Sequence, residues 1–325
     1  MVPKFFLLIV ACLFYTIEPV SAFTSKKPFE NPDGTKDIKK LCEDIDAAIA
    51  EYHWDIQACP WDLLKEDGKS VEGRPLVYSD FGDPNAENVT LIFSMVHGDE
   101  VTPIYLGLKL LHWLRENIKR FPSTRVVFAP VVNPDGFFRK PSTRVNARGV
   151  DLNRNFSTED WKTHALVAWK TEFHANERRY PGAAPDSEPE TLFQKALIDR
   201  VKPQKILSVH APLNFMDYDG PNVLTLAKFP REYVKKCLQL RSRVKAVSGG
   251  FYPGSLGNYA GQERGIPTFT LELPSAGHKK ASGYWKQFQS GIERVIQFKV
   301  PDYAFQNFEK TQRPIKSAQN EGAGN

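Results

Sequence analysis

The sequence predicts an α/β protein. It should have a mostly parallel, mixed central sheet with helices on both faces and a small helical N-terminal extension. Two observations support this. Short, β-branched-rich apolar runs recur at 90–96, 125–132, 205–211 and 268–273, nearly continuous as in strands buried on both faces. Between them lie segments whose apolar residues recur at helical spacing. Strands that alternate with helices imply a sheet covered on both sides.

At the N-terminus, Lys4 precedes the apolar run Phe5–Phe14, and the small-residue site Val20-Ser21-Ala22 follows. That order describes a secretory signal peptide over 1–22, cut near Ala22. A lipoprotein signal ending at Cys12 is an alternative, but it would strand apolar residues after the cut. The run is shorter than the roughly 20 residues a spanning helix needs. No later stretch qualifies, so the expected product is secreted or periplasmic, with no stable membrane span.

Residues 23–75 read as an N-terminal extension. A polar lead-in is followed by Ile38, Leu41, Ile45, Ala48, Ile49 and Tyr52 at helical period within 36–56. Removing the signal leaves Cys42, Cys59 and Cys237, an odd number for an exported chain. A helix running from Cys42 to about residue 54 would place its end roughly 18 Å away. Unpaired thiols are therefore favoured over a Cys42–Cys59 bridge.

Residues 76–300 form the predicted main domain. Its helices cover 102–119, opening on Thr102-Pro103, then 188–201, 230–247, opening on Pro230, and 281–299. Ser187 with Glu190 fits a capping box for the second of these. Residues 301–325 form a tail whose end, 310–325, is polar and Gly-rich. A net charge of +5 over 325 residues, with 25% charged and 41% hydrophobic residues, is ordinary for a globular protein. No concentrated basic stripe is present, so nucleic acid is not an expected partner. The chain is expected to act as a monomer.

Ligand-type groups appear where the strand pattern stops. His97 and Glu100 follow the first run, His210 ends the third, and Glu272 lies near the end of the fourth. In open α/β sheets, sites form beyond the carboxyl ends of the strands. Two imidazoles and a carboxylate make a three-ligand zinc site with one position left for water, and Glu272 would serve as base. A lone histidine after a strand is more often a hydrogen-bonding residue. A carboxylate at the end of an apolar strand is costly unless it is paired or used.

After the second run come Asn133-Pro134-Asp135-Gly136-Phe137, Arg144, and Gly149-Val150-Asp151-Leu152-Asn153-Arg154-Asn155-Phe156. Together with H-G-D-E at 97–100, S-V-H at 208–210 and L-E-L at 271–273, the sequence resembles the zinc carboxypeptidase family that includes carboxypeptidase A. The motifs occur in family order and span roughly residues 80–295. The resemblance implies one Zn2+ held by His97, Glu100 and His210, with Asp151 orienting a ligand histidine. It implies Glu272 as general base, Arg144 for the oxyanion, and Asn153 with Arg154 gripping the substrate's free carboxylate.

Two features depart from carboxypeptidase A. Asp99 stands where that enzyme has an arginine, and the mobile covering tyrosine has no clear match, because Tyr252 in Gly249-Gly250-Phe251-Tyr252 is displaced; Tyr252 could still cover the bound substrate, with core or loop packing as the alternative. A closer resemblance, to bacterial murein peptide amidases, rests on Ser187-Glu188-Pro189-Glu190-Thr191, Ala211-Pro212-Leu213, Pro253-Gly254-Ser255 and the short spacing from Arg144 to the G-V-D-L-N-R-N-F run. It implies a murein peptide, cut between γ-D-glutamate and meso-diaminopimelate, as partner. Asp217 or Asp219 would meet the diaminopimelate ammonium, although both suit a turn equally well. An ordinary peptide with a free carboxyl terminus and an inactive binding module are the alternatives.

Overall fold

The computed structural model describes residues 34–220 and 252–301. The signal segment, the predicted helix 230–247 with Cys237, residues 249–251 and the tail 310–325 lie outside the described residues.

Helix α1 (Gly34–Ile49) buries Ile38, Leu41, Cys42, Ile45 and Ile49, the apolar stripe read from its spacing. It is shorter than expected. A 3-10 turn over Ala50–Tyr52 follows, and His53 adopts a left-handed conformation at φ 50°. The chain then turns back, and the Asp46 carboxylate accepts a hydrogen bond from the Cys59 amide at 2.9 Å. Cys59 thus lies beside Cys42 with Cα atoms 5.2 Å apart, and the two form a disulfide. This corrects the expectation of unpaired thiols, which assumed that the helix continued past residue 49.

The sheet contains β1 (Lys65–Lys69), β2 (Pro75–Gly82), β3 (Asn88–Ser94), β4 (Thr124–Ala129), β5 (Lys205–His210), β6 (Met216–Asp219) and β7 (Thr268–Glu272). Their spatial order is β1-β2-β4-β3-β5-β7-β6. The four apolar runs are the central strands β4, β3, β5 and β7, which are mutually parallel. The flanking strands β1, β2 and β6 are antiparallel. Sequence patterning missed all three, because they are shorter, more polar or half-solvated.

The helices α2 (Thr102–Asn117) and α6 (Tyr284–Gln297) join α1 over one sheet face, around Ile92, Phe128, Leu207 and Phe269. Helix α5 (Pro189–Val201) covers the other face with Phe193, Leu197 and Ile198 against Leu91, Phe93 and Ile206. Two short helices, α3 (Pro134–Phe138) and α4 (Leu166–Thr171), lie in the connections. The expected capping box of α5 does not form. Its N-cap is Glu188, without a side-chain cap. The Ser187 hydroxyl instead donates to Glu188, while Glu190 accepts from Asn146 and the Val71 amide. Buried partners elsewhere claim the groups a capping box would use.

From β3 the chain moves to β4 on one side and then crosses to β5 on the other. The crevice of this doubly wound order lies beyond the carboxyl ends of β3 and β5. His97 and Glu100 follow β3, and His210 ends β5.

Candidate active site

The loop after β3 must hold two of the three ligand-type residues in place. Gly98 makes this possible, because a Cβ there would lie 2.2 Å from the Gly136 carbonyl carbon and 2.3 Å from the Phe137 nitrogen. The loop is interlocked with the Asn133-Pro134-Asp135-Gly136 turn backbone to backbone. Asn133 organises that turn. Its Oδ1 accepts from the Gly136 amide at 2.9 Å, and its Nδ2 donates to the Arg144 carbonyl at 3.1 Å. Asp135 is buried and accepts from Ser70 Oγ, the Glu72 amide and Arg74 Nη1, which fastens the β1–β2 connection to the same turn.

His97, Glu100 and His210 converge, with one ligand atom from each lying within 4.8 Å of the others, and all three are buried. His97 Nδ1 is 2.7 Å from Glu100 Oε1, and His210 Nδ1 is 3.1 Å from both Glu100 Oε2 and His97 Nδ1. The opposite nitrogens are occupied: His97 Nε2 lies 3.1 Å from Asp151 Oδ1 and His210 Nε2 lies 2.9 Å from Ser208 Oγ. With Nε2–H donated outward, each neutral ring turns an Nδ1 lone pair toward the other and toward a carboxylate. Three acceptors facing one another are satisfied by a cation, and this N,N,O donor set suits zinc. Burial opposes ionisation of Glu100, but the charge that His97 and His210 carry when protonated, with no cation between them, holds its carboxyl far below the usual range.

Asp151 is completely buried and ties the pieces together. It accepts from His97, from Arg144 Nε at 2.9 Å and from the Asn153 amide at 3.0 Å. Burial works against its charge, yet Arg144 and His97 keep its carboxyl well below the usual value. Arg144 also donates through Nη1 to Glu100 at 3.3 Å. Glu272 is paired in register with His210 across β5 and β7 and accepts from the Leu213 amide at 3.3 Å. Burial pushes its carboxyl up to about 7, against the pull of His210.

Arg154 is 7% exposed. Its Nη1 donates to the Asn153 carbonyl at 2.6 Å, while Nε is buried with no hydrogen-bond partner among the described residues. The Tyr252 ring lies 4.4 Å from the guanidinium. Burial lowers the Arg154 pKa to about 10, Asp151 opposes the shift, and Arg144 and Arg179 add to it. Asn153 Oδ1 accepts from the Leu256 amide at 2.8 Å, holding this corner together.

The two β6 aspartates differ. The register pairs Asp217 with Thr270 and Asp219 with Thr268, so both lie on the Glu272 side of the sheet, Asp217 the nearer in register. Asp219 packs against Gly257 and Gly261, accepts from Gln262 Nε2 at 3.2 Å, and is pushed up to about 6 by burial. Its carboxylate braces the 257–262 turn.

Sequence reasoning did not single out Ser208 for a role, nor the segment at 173–180. The S-x-H spacing on one strand face could have exposed Ser208. Arg178 Nη1 donates to Asp99 Oδ2 at 2.5 Å, and the Asp151 amide donates to the Tyr180 carbonyl at 2.8 Å. No pattern in the sequence announces that wall.

A solved structure, murein-tripeptide amidase MpaA from Escherichia coli O157, superposes with a TM-score of 0.53 at 29% identity, covering 74% of this chain and 93% of that one. Carboxypeptidase A from Helicoverpa armigera shares the fold at 20% identity and a TM-score of 0.52, over 78% and 73% of the two chains. In sequence, murein peptide amidase A of Escherichia coli K12 is 33% identical over 219 residues, 66% of this chain and 83% of that protein. The Vibrio campbellii murein peptide amidase A is 32% identical over 212 residues, 64% and 77% of the two chains. The family model described as zinc carboxypeptidase matches residues 63–297. That span takes in the converging His97, Glu100 and His210 as well as Glu272, and the chain belongs to the zinc carboxypeptidase family, whose members are zinc-dependent hydrolases.

Proposed function

We propose that this hydrolase cuts the amide between γ-D-glutamate and meso-diaminopimelate in murein peptides, using one zinc ion, and that it does so outside the cytoplasm after cleavage near Ala22. The observation that carries the substrate reading is Arg154. A buried guanidinium with an unpartnered Nε beside the ligand cluster calls for an anion. In a murein tripeptide, diaminopimelate carries a free carboxylate beside the scissile amide. The relatives named murein peptide amidase support this choice.

His97, Glu100 and His210 would hold the zinc, which when bound supplies Lewis acidity, acidifying water and polarising a carbonyl. Asp151 and Ser208 fix the two imidazoles through their outer nitrogens. Glu272 takes a proton from the attacking water and passes it to the leaving amine. Burial raises this carboxyl, which favours its holding the proton between the two halves of that transfer. Arg144 has Nε and Nη1 committed to Asp151 and Glu100, so Nη2 is the donor it offers to the developing oxyanion. Asn153 and Arg154 hold the terminal carboxylate, with Tyr252 over the guanidinium. Asp217 meets the diaminopimelate ammonium, while Asp219 supports the adjoining turn.

The test is product analysis by mass spectrometry. Zinc-loaded protein is incubated with L-Ala-γ-D-Glu-meso-diaminopimelate and, separately, with a hippuryl amino acid. Release of free diaminopimelate, abolished by a chelator and restored by zinc, is the expected result. Cleavage of the hippuryl substrate alone would replace the murein reading with an ordinary carboxypeptidase. Hydrolysis of neither would leave a binding module of the same fold.

A further inference from the structure

Arg154 is not the only cation in its corner. Phe173 forms a platform between two guanidinium groups, with Arg154 Cζ 6.0 Å and Arg179 Cζ 4.8 Å from its ring centroid. Tyr252 closes the far side, its ring 5.9 Å from that of Phe173. The two arginines are near enough for Arg179 to disfavour the charge on Arg154. Like charges held together in a half-buried corner are unfavourable unless an anion joins them.

Three nearby acids are committed to other arginines. Asp151 and Glu100 take Arg144, and Asp99 takes Arg178, the residue adjoining Arg179. Among the described residues no carboxylate pairs with Arg179. Its backbone is nonetheless held firmly. The Asn176 side chain caps the turn at the Arg178 amide, and the Arg179 amide donates to the Asn176 carbonyl at 2.9 Å. Arg178 pins one side of this segment to the ligand loop, and the Tyr180 carbonyl pins the other to the Asp151 amide. A floppy surface arginine needs no such framing.

We propose that Arg179 is a second carboxylate-binding residue, which together with Arg154 selects substrates bearing a free carboxylate near the scissile amide in addition to the terminal one. This rests on the murein reading for its natural substrate, where two such groups exist: the α-carboxylate of γ-linked D-glutamate, and the distal carboxylate of diaminopimelate. A planar guanidinium stacked on an aromatic ring keeps its edge free for a two-pronged contact with either.

The experiment compares kcat/KM of the zinc-loaded wild type, Arg179→Gln and Arg179→Lys on substrates differing by one carboxylate. The murein tripeptide is set against its D-isoglutamine form, which lacks the α-carboxylate. It is also set against its L-lysine form, which lacks the distal one. Two ordinary pairs accompany them: acyl-Gly-Glu with acyl-Gly-Gln, and acyl-Glu-Leu with acyl-Gln-Leu. The wild type is expected to favour the carboxylate-bearing member of at least one pair by about ten- to a hundredfold, mainly through KM, as suits a charge-assisted contact. Arg179→Gln should bring that pair to within about twofold, and Arg179→Lys should keep part of the preference. The pair that responds identifies which carboxylate is held. A preference that survives Arg179→Gln at its wild-type ratio, or a wild type with no preference in any pair, would overturn the assignment. If the wild type cuts only the ordinary pairs, the murein reading falls, and those pairs judge Arg179 by the same ratio.

Discussion

Lys205 opens β5 and is fully buried, with its ammonium donating to Asn88 Oδ1 at 2.5 Å and, among the described residues, no acid paired with it. Burial lowers its pKa from 10.5 to about 7. The unfolded chain therefore binds more protons than the native one between those values, and stability must rise with pH across that window. At about pH 7 the native lysine is roughly half protonated and the unfolded one fully so; by about pH 9 the native group is essentially neutral. Integrating the difference at about 1.4 kcal/mol per proton per pH unit gives a gain of about 2 kcal/mol from this residue alone. Lys205→Met removes the titration while keeping most of the side chain's length. Urea unfolding of both proteins at the two pH values, with zinc saturating throughout, isolates the term, since all other groups cancel in the difference. The wild type should gain about 2 kcal/mol more than the variant. Equal gains in the two proteins would refute the claim that burial holds this lysine near neutrality. Lys205 and His210 are at opposite ends of a strand, roughly 16 Å apart, so hydrolysis should be little affected.

Glu272→Gln should retain bound zinc but lose about 10²- to 10⁴-fold in kcat; metal analysis alongside kinetics checks this, and near-normal turnover would remove Glu272 from the proton-transfer role. Gly98→Ala drives a methyl group into the Gly136–Phe137 backbone. It should cost about 1–3 kcal/mol or more and weaken zinc binding, read by thermal melting and by competition with a chelator. Wild-type affinity would show that the ligand loop tolerates displacement. The Cys42–Cys59 disulfide spans a sequence separation of 17 residues. Replacing both cysteines by alanine should lower stability by about 3 kcal/mol on loop-closure grounds, with hydrolysis unchanged in the absence of denaturant. Denaturation of the oxidised wild type and the double variant measures it.

The parts of the fold with strong periodicity were legible in the sequence. The four buried strands and the α1 stripe announce themselves because packing on both faces, or on one helical face, demands apolar residues at set intervals. Strand β1, reading Lys-Glu-Asp-Gly-Lys, gives no such signal, since its pairing depends on β2 and its side chains face water. The Cys42–Cys59 pair was misjudged because everything depended on where α1 and the turn after it stop, and the left-handed His53 closes that turn. The metal-type residues were legible since they sit at strand ends, where the topology gathers distant segments. Arg178 and Arg179 were not, because nothing in a string of polar residues says which neighbour a loop will be tied to.

That tie has a wider consequence. The stretch from Phe173 to Tyr180 touches the reaction centre through two fastenings, one at Asp99 and one at Asp151. The residues leading up to such fastenings, and the one between them, can be exchanged or recoloured in charge while the residues that perform hydrolysis keep their places on the sheet. A scaffold of this kind can acquire new tastes by exchanging a short rim.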